Sequence, residues 1–504
     1  MAKKARNNEI EAAPRKPATR KRKSDDIDQV AAPRKPAMSR KRKRKGGASR
    51  PSTAASGMCD DVFRSIFARV PARTAVASTA LSTHHRRMIL CPEFRNLHCR
   101  LGPPLPQPHI AYIATAKIKD SCGKYLVSGF HGFHVAGVGH SGNTPMRSLT
   151  GPTYLNMRYV NTCNGIVLFA DLSRHSTCVL WIPAVADGEK QVTVPVSASE
   201  KCVILGLGYG RRSQTYKLLV LRSGRYTTTS GWNARDLLAY TLQAGAGGEQ
   251  QRLRTVLGEE TFSRTDGEIF NKSLYIDGTI YLLHNIKGLV LAFNVDDETV
   301  TSINLPKGYV IEPSLEMSRL VEMCGRPCIE TGDYICSCRT LWLLTVDNKW
   351  EPRCVIRRDS NSYHLQSEFD RSSIAGVWDC GGVILLYVQR GRGRSDHHNK
   401  LYLFDPSTNK MYKRNLPWNL MPELSTYAFC WGYKPTLVSP RSIVGEDQGR
   451  CSDHEKDKMD IIEPLNEREK RKGRKATMTT VCFMKFLVGI MKKLPENMQD
   501  LSLR

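Results

Sequence analysis

No stretch of the 504-residue sequence reaches the ~20 consecutive apolar residues that a bilayer-crossing helix needs. The nearest, TTVCFMKFLVGIMKKL from Thr479 to Leu494, is broken by Lys485. MAKKARNNEI also lacks the apolar run of a secretory signal. Together these absences predict a soluble, intracellular protein with no membrane partner, and they make the 16 cysteines reduced thiols rather than a disulfide framework. Catalytic signatures are missing as well. GLGYGR, from Gly206 to Arg211, has no third glycine and no acidic residue at the distance a dinucleotide-binding βαβ unit requires, so a β-turn is expected there. GHSGN, beginning at Gly139, lacks the second glycine of a nucleophile elbow; its histidine and those of GFHGFH fit a loop or a sheet edge. Cys324, Cys328, Cys336 and Cys338 form the densest thiol cluster, but their spacings of four, eight and two fall in strand-like sequence. A structural zinc is usually held by paired two-residue gaps on turns, so buried thiols are expected instead. With no paired carboxylates, phosphate loop or triad, the chain is expected to be non-catalytic, with no cofactor and no metal.

What is present begins with charge. The net charge is +27, and residues 1–50 alone hold 18 Lys or Arg against 5 Asp or Glu. Within that segment AAPRKPATRKRK begins at Ala12 and AAPRKPAMSRKRKRK at Ala31. Dense in proline and like charge, and nearly free of large apolar side chains, the two copies cannot offset the entropy of folding, so residues 1–56 are expected to be a disordered basic arm. The clusters Lys21, Arg22, Lys23 and Arg40, Lys41, Arg42, Lys43, Arg44, Lys45 fit an import receptor, which predicts a nuclear location shared with the cytoplasm, and they would also attract nucleic acid.

The pattern changes at Met58. Val62, Phe63, Ile66, Phe67 and Val70 share one face of a helix, with Asp60 and Asp61 as its N-cap and first-turn carboxylates. Pro71 stops that helix and suits the start of the next. Ala75, Val76, Thr79 and Ala80, then Leu81, Met88 and Ile89, allow two further short helices before Pro92. Residues 57–100 therefore read as a three-helix unit, a size that gains from a partner.

From about Tyr125 short β-type runs alternate with Gly, Asn and Asp. CNGIVLF with VLWIPAV, IDGTIYLL with LVLAFNVDDETVTSINLP, MCGRPCIE with LWLLTVDNKWEPRCVI, and DCGGVILLYV with KLYLFDPSTNKMYKRNLP repeat one order of turn, strand, gap and strand. A more divergent fifth passage is VILGLGYGRRSQTYKLLVL with LLAYTL. Turns at Gly278, Gly325 and Gly381 lie 47 and 56 residues apart, the period of a propeller blade plus a loop. The fold class predicted is multidomain α plus all-β: a helical unit followed by a six-bladed β-propeller over 101–440. Residues 441–504 read as a charged linker and a C-terminal amphipathic helix. Phe483, Met484, Leu487, Val488, Met491 and Leu494 line one side of that helix, and self-packing is the expected fate of the stripe.

CDDVFRSIFARVPAR with CPEFRNLH, YVNTCNGIVLF with VLWIPAV, and LGLGYGRRSQTYKLLVL occur in the order seen in one family. Over residues 58–440 the chain resembles the plant F-box proteins that carry an F-box-associated β-propeller. The resemblance implies that the helical unit binds a Skp-family adaptor and through it a cullin scaffold, while the propeller holds an as yet unknown protein substrate for ubiquitination. By position, the adaptor surface would draw on Asp61, Val62, Ile66, Phe67, Val70, Pro71, Leu81 and Ile89. The chain departs from the family at Met58-Cys59, in place of Leu-Pro, and at Ala77 and His85, in place of a basic residue and a tryptophan. The competing reading is a nuclear or chromatin-associated propeller with a nucleic-acid-binding arm and a degenerate F-box.

Overall fold

The computed structural model describes residues 59–444 and 467–494, apart from the connections 120–124, 139–146, 151–153, 155–156, 172–175, 185–187, 197–200, 224–233, 243–252, 259–268, 285–286, 307–319, 334–337, 358–371, 391–399 and 415–424. The basic arm, its import clusters, GHSGN and Cys336 lie outside the described residues.

Four short helices come first: α1 (Asp60–Phe67), α2 (Ala72–Ala77), α3 (Thr83–Leu90) and α4 (Pro92–Leu101), with a 3₁₀ turn at Ser78–Ala80. Asp60 lies inside the first turn of α1 rather than capping it; the N-cap is Cys59. Pro71 caps α2, and Ser82 Oγ accepts the His85 N–H at the start of α3. Pro92 does not end the helical region as expected. It opens α4 at the position where a missing N–H costs nothing, and Phe94 is buried from that helix.

Six four-stranded antiparallel sheets follow, the blades of a β-propeller. Blade 1 contains β1 (Ile110–Lys119), β2 (Tyr125–Ala136) and β3 (Arg147–Thr150). Blade 2 is β4 (Met157–Cys163), β5 (Ile166–Asp171), β6 (Thr177–Trp181) and β7 (Glu189–Thr193). Blade 3 is β8 (Lys201–Tyr209), β9 (Tyr216–Ser223), β10 (Ala234–Thr241) and β11 (Leu253–Leu257). Blade 4 is β12 (Ile269–Ile276), β13 (Thr279–His284), β14 (Leu289–Asn294) and β15 (Thr299–Asn304). Blade 5 is β16 (Val321–Met323), β17 (Arg326–Asp333), β18 (Cys338–Leu344) and β19 (Trp350–Ile356). Blade 6 is β20 (Ser372–Cys380), β21 (Val383–Arg390), β22 (Lys400–Asp405) and β23 (Lys410–Arg414). The last strand, β24 (Ser425–Phe429), pairs with β1 and completes blade 1, so the two ends of the propeller sequence close the ring in one sheet. Closure of this kind leaves no unpaired sheet end to the ring.

The β pattern thus starts one strand earlier than Tyr125. In IAYIATAKIK the two sides of β1 go to different cores, Ile110, Tyr112 and Ala114 to one and Ala111 and Ile113 to another, and the polar alternation that marks a half-exposed strand is lost. The glycine turns join the first two strands of their blades. Asp277-Gly278 and Cys324-Gly325 both have positive φ at each residue, the geometry of a type I′ hairpin.

GLGYGR is not a β-turn over its first four residues, because Gly206 and Gly208 are inside β8. A Cβ at Gly206 would lie 2.6 Å from Ser273 Oγ and one at Gly208 2.5 Å from Val295 Cγ2, so the pair makes room for blade 4. Adjacent inner strands are also tied by polar bonds. Asn161 Nδ2 donates to Leu207 O at 2.9 Å, Asn161 Oδ1 accepts from Leu207 N at 3.0 Å, and Tyr275 Oη donates to Tyr209 O at 2.9 Å. Two helices close the described chain, α5 (Pro440–Val444) and α6 (Glu467–Met491).

Candidate functional site: the uncovered side of the helical unit

The inner side of the helical unit is a compact core of Ala68, Ala75, Val76, Met88, Ile89 and Phe94, against which Phe63, Phe67, Val70 and Leu97 pack. His85, standing where the family favours tryptophan, meets the rings of Phe63 and Phe67 edge-on at 5.4 and 5.5 Å, so it fills an aromatic position within the unit. His84 Nε2 lies 3.0 Å from Asp60 Oδ1 and links α3 to the start of α1.

The outer side is different. Val62 is 43 % exposed, Ile66 47 % and Leu81 66 %, half of the six large apolar residues exposed among the described residues. Val62 and Ile66 stand one helical turn apart and share a face. Asp61 is exposed beside Val62, and Pro71 is exposed at the cap of α2. Phe67 and Val70 are half-buried against the core. Ile89 must be corrected: it is fully buried in the core and offers no surface to a partner. Its side of α3 faces the other helices, which the short apolar pair Met88-Ile89 could not reveal in sequence.

The unit is fastened to the propeller by the segment after β24, which sequence reasoning left unmarked. Leu437 is buried in the helical core itself. Lys434 Nζ donates to Cys99 O at 3.1 Å and Arg100 O at 3.4 Å, satisfying carbonyls of the last turn of α4 and matching the negative end of its dipole. His98 Nε2 lies 3.0 Å from Val70 O, and burial pushes its pKa down, so the ring is neutral and donates. The same segment crosses the ring. Cys430 N donates to Ala111 O of blade 1, and the Tyr433 ring lies 4.7 Å from Phe133. Trp431 meets Trp378 of blade 6 at 5.8 Å. A Cβ at Gly432 would lie 3.8 Å from Glu322 Oε2 in blade 5 and 3.9 Å from Tyr275 O in blade 4. One at Gly165 in blade 2 would lie 2.2 Å from Lys434 O. Residues 430–438 therefore span the mouth of the ring on the side that carries the helical unit. Burial pushes the Glu322 carboxyl up, and its oxygen accepts from Gly325 N at 3.2 Å.

The connections leaving the opposite side of the ring include the long stretches 305–320, 357–371 and 415–424, whose apices lie outside the described residues. Within the thiol cluster Cys324 is exposed at a turn and Cys328 is buried, its thiol pushed up by burial. Among the described residues no group of three or more His, Cys, Asp or Glu side chains is placed to hold a metal ion, and no helix is long and apolar enough to cross a membrane.

The chain is, by architecture, a six-bladed β-propeller with a helical unit seated on one side of the ring. No family model matches it, and no curated protein matches its sequence. Solved structures to which it is similar include a protein of unknown function from Bacteroides caccae, 10% identical over 64% of this chain and 99% of that one, with a TM-score of 0.32. Others are oligogalacturonate lyase from Vibrio parahaemolyticus, at 11% identity, 63% and 82% coverage and a TM-score of 0.31, and Pyrococcus horikoshii acylaminoacyl peptidase, at 9%, 62% and 45% and 0.31. The fold assignment rests on the sheet order and the β1–β24 closure.

Proposed function

We propose that the chain is a non-catalytic substrate receptor of a Skp–cullin–F-box type ubiquitin ligase. The observation that carries this reading is the uncovered apolar side of the helical unit at Val62, Ile66 and Leu81, opposite a side already sealed by its own core. A unit this small that leaves large apolar residues in water is suited to a protein partner, and the resemblance over residues 58–100 names a Skp-family adaptor. The propeller would hold the substrate while the cullin brings the charged ubiquitin carrier to its lysines, so that rate comes from proximity and not from bond chemistry in this chain. The basic clusters of the arm support import into the nucleus.

The test is pull-down of the full chain with a Skp-family adaptor and detection of cullin in the native complex. Val62→Ser, Ile66→Ser and Leu81→Ser together are expected to weaken adaptor binding by at least ~30-fold, since one lost interface anchor costs about 2 kcal/mol or more. Absence of adaptor and cullin from the wild-type complex overturns the reading. A nuclear or chromatin-associated role is favoured instead by the repeated basic arm, and it would show as steeply salt-dependent DNA binding lost on deleting residues 1–56.

A further inference from the structure

Helix α6 has two sides with different fates. Phe483, Met484, Leu487, Val488 and Met491 are buried against blades 1 and 6, which fixes the seated side of the helix. From Lys470 to Lys493 the chain holds eight Lys or Arg and no Asp or Glu. At the roughly 100° step of an α-helix, positions 485, 492 and 493 fall on the side away from the seat, and Lys492 and Lys493 are exposed. The backbone is helical back to Glu467, so the same step puts positions 471, 474 and 475 on that outward side, with 470 and 472 on its flanks. The result is a stripe of one charge sign along a 25-residue helix, about 37 Å at 1.5 Å per residue.

We propose that this outward side of α6 binds the phosphate backbone of duplex nucleic acid without reading its sequence. Duplex DNA presents one negative charge per ~1.7 Å of axis, a uniform array that a stripe without interleaved carboxylates complements along its length. A membrane-surface helix would need its apolar side to enter the lipid, and here the propeller already occupies that side. Recognition of an acidic protein would call for discrete pairing positions rather than one uninterrupted sign. The inference is independent of adaptor binding, which uses α1 and the 81 position, and it concerns a segment separate from the basic arm.

The experiment is fluorescence anisotropy of the full chain with a labelled 20-base-pair duplex of arbitrary sequence, titrated across 50–200 mM salt. The helix variant carries Arg471→Gln, Lys472→Gln, Arg474→Gln and Lys475→Gln; a second carries Lys492→Gln and Lys493→Gln. Glutamine keeps helix propensity, and thermal melting checks that α6 stays seated. The first variant is expected to bind at least ~10-fold more weakly, and the slope of log affinity on log salt is expected to fall by about 0.9 for each phosphate contact removed. The second should show a smaller change of the same sign. Unchanged affinity and slope in both variants overturn the proposal, because the arm is intact in each. So does capture of the chain by phosphatidylserine vesicles without binding to the duplex.

Discussion

Helix α1 leaves Val62 and Ile66 in water, whereas α6 hides Phe483, Met484, Leu487 and Val488 completely or nearly so. Both are amphipathic by the same 3.6-residue period. Their difference lies in what the rest of the chain supplies. β1 and β24 bring the two ends of the propeller sequence together beside blade 6, and α6 lies across that seam on Tyr112, Ala136 and Tyr387, so its apolar stripe is covered from within. Nothing in the described chain covers the outer side of α1. An apolar stripe shows that a cover is needed, and only the tertiary arrangement shows whether the protein provides it.

The largest expected effect breaks the covered side. Phe483→Ala removes a fully buried ring that lies 5.2 Å from Tyr387 and 6.0 Å from Tyr427, and should destabilise the propeller by about 3–5 kcal/mol in chemical denaturation. A loss under ~0.5 kcal/mol, the level of a surface change, would mean that α6 does not clasp the seam. Next comes Leu437→Ala, expected to cost about 3 kcal/mol because its side chain completes the helical core from the far end of the sequence. Hydrogen exchange should speed up in α1 to α4 more than in blades 3 to 5. Uniform acceleration would mean that the segment does not couple helices and ring.

Much of this arrangement was legible in sequence, and what was missed has physical causes. The apolar period of α1, Pro71 and the glycine turns at Gly278, Gly325 and Gly381 announce helices and blades, because each is a local requirement of backbone geometry. Blade 1 was illegible because its strands come from residues 110–150 and 425–429, and no local window contains such a sheet. Pro92 reads as a stop from its ring alone, yet at a helix start the same ring is favourable. Gly206 and Gly208 read as a turn because glycine's other use, close approach of a neighbouring blade, depends on Ser273 and Val295 far along the chain. For the candidate site, Val62, Ile66 and Leu81 are on the surface while Ile89 is inside, a distinction set by how α3 rolls against α1 and α4. Lys434 and Leu437 carry no motif.

A third, smaller effect depends on pH. His134 is buried beside Tyr112, their rings 5.4 Å apart, with no protein partner for either ring nitrogen. Burial, aided by the positive charge of Lys485 on α6, pushes its pKa down to about 3 from the ordinary 6.5. Above pH 6.5 folded and unfolded chains both hold the ring neutral. Below it only the unfolded chain takes up the proton, so stability falls as pH falls, by up to about 1.4 kcal/mol per pH unit until the folded ring itself titrates. His98 and His131, also held down by burial, add to the same trend. In His134→Phe the slope of stability between pH 6.5 and 5 should be shallower than in the wild type; an unchanged slope would show that this ring is not the acid-sensitive point of the seam.

The smallest effect on stability falls on the uncovered side. Ile66→Ser trims an exposed side chain with no role in the helical core, so the melting free energy should move by no more than ~0.5 kcal/mol. Its effect on binding should be far larger than on folding, which is the reverse of Phe483→Ala. Measured together by denaturation and by adaptor pull-down, the two variants separate a stripe kept for a partner from one consumed by the fold. If Ile66→Ser instead unfolds the helical unit, its side chain is structural and the uncovered side is not a binding surface. If it changes neither stability nor adaptor capture, the apolar exposure of α1 has no partner of this kind, and the comparison between the two helices loses its functional half.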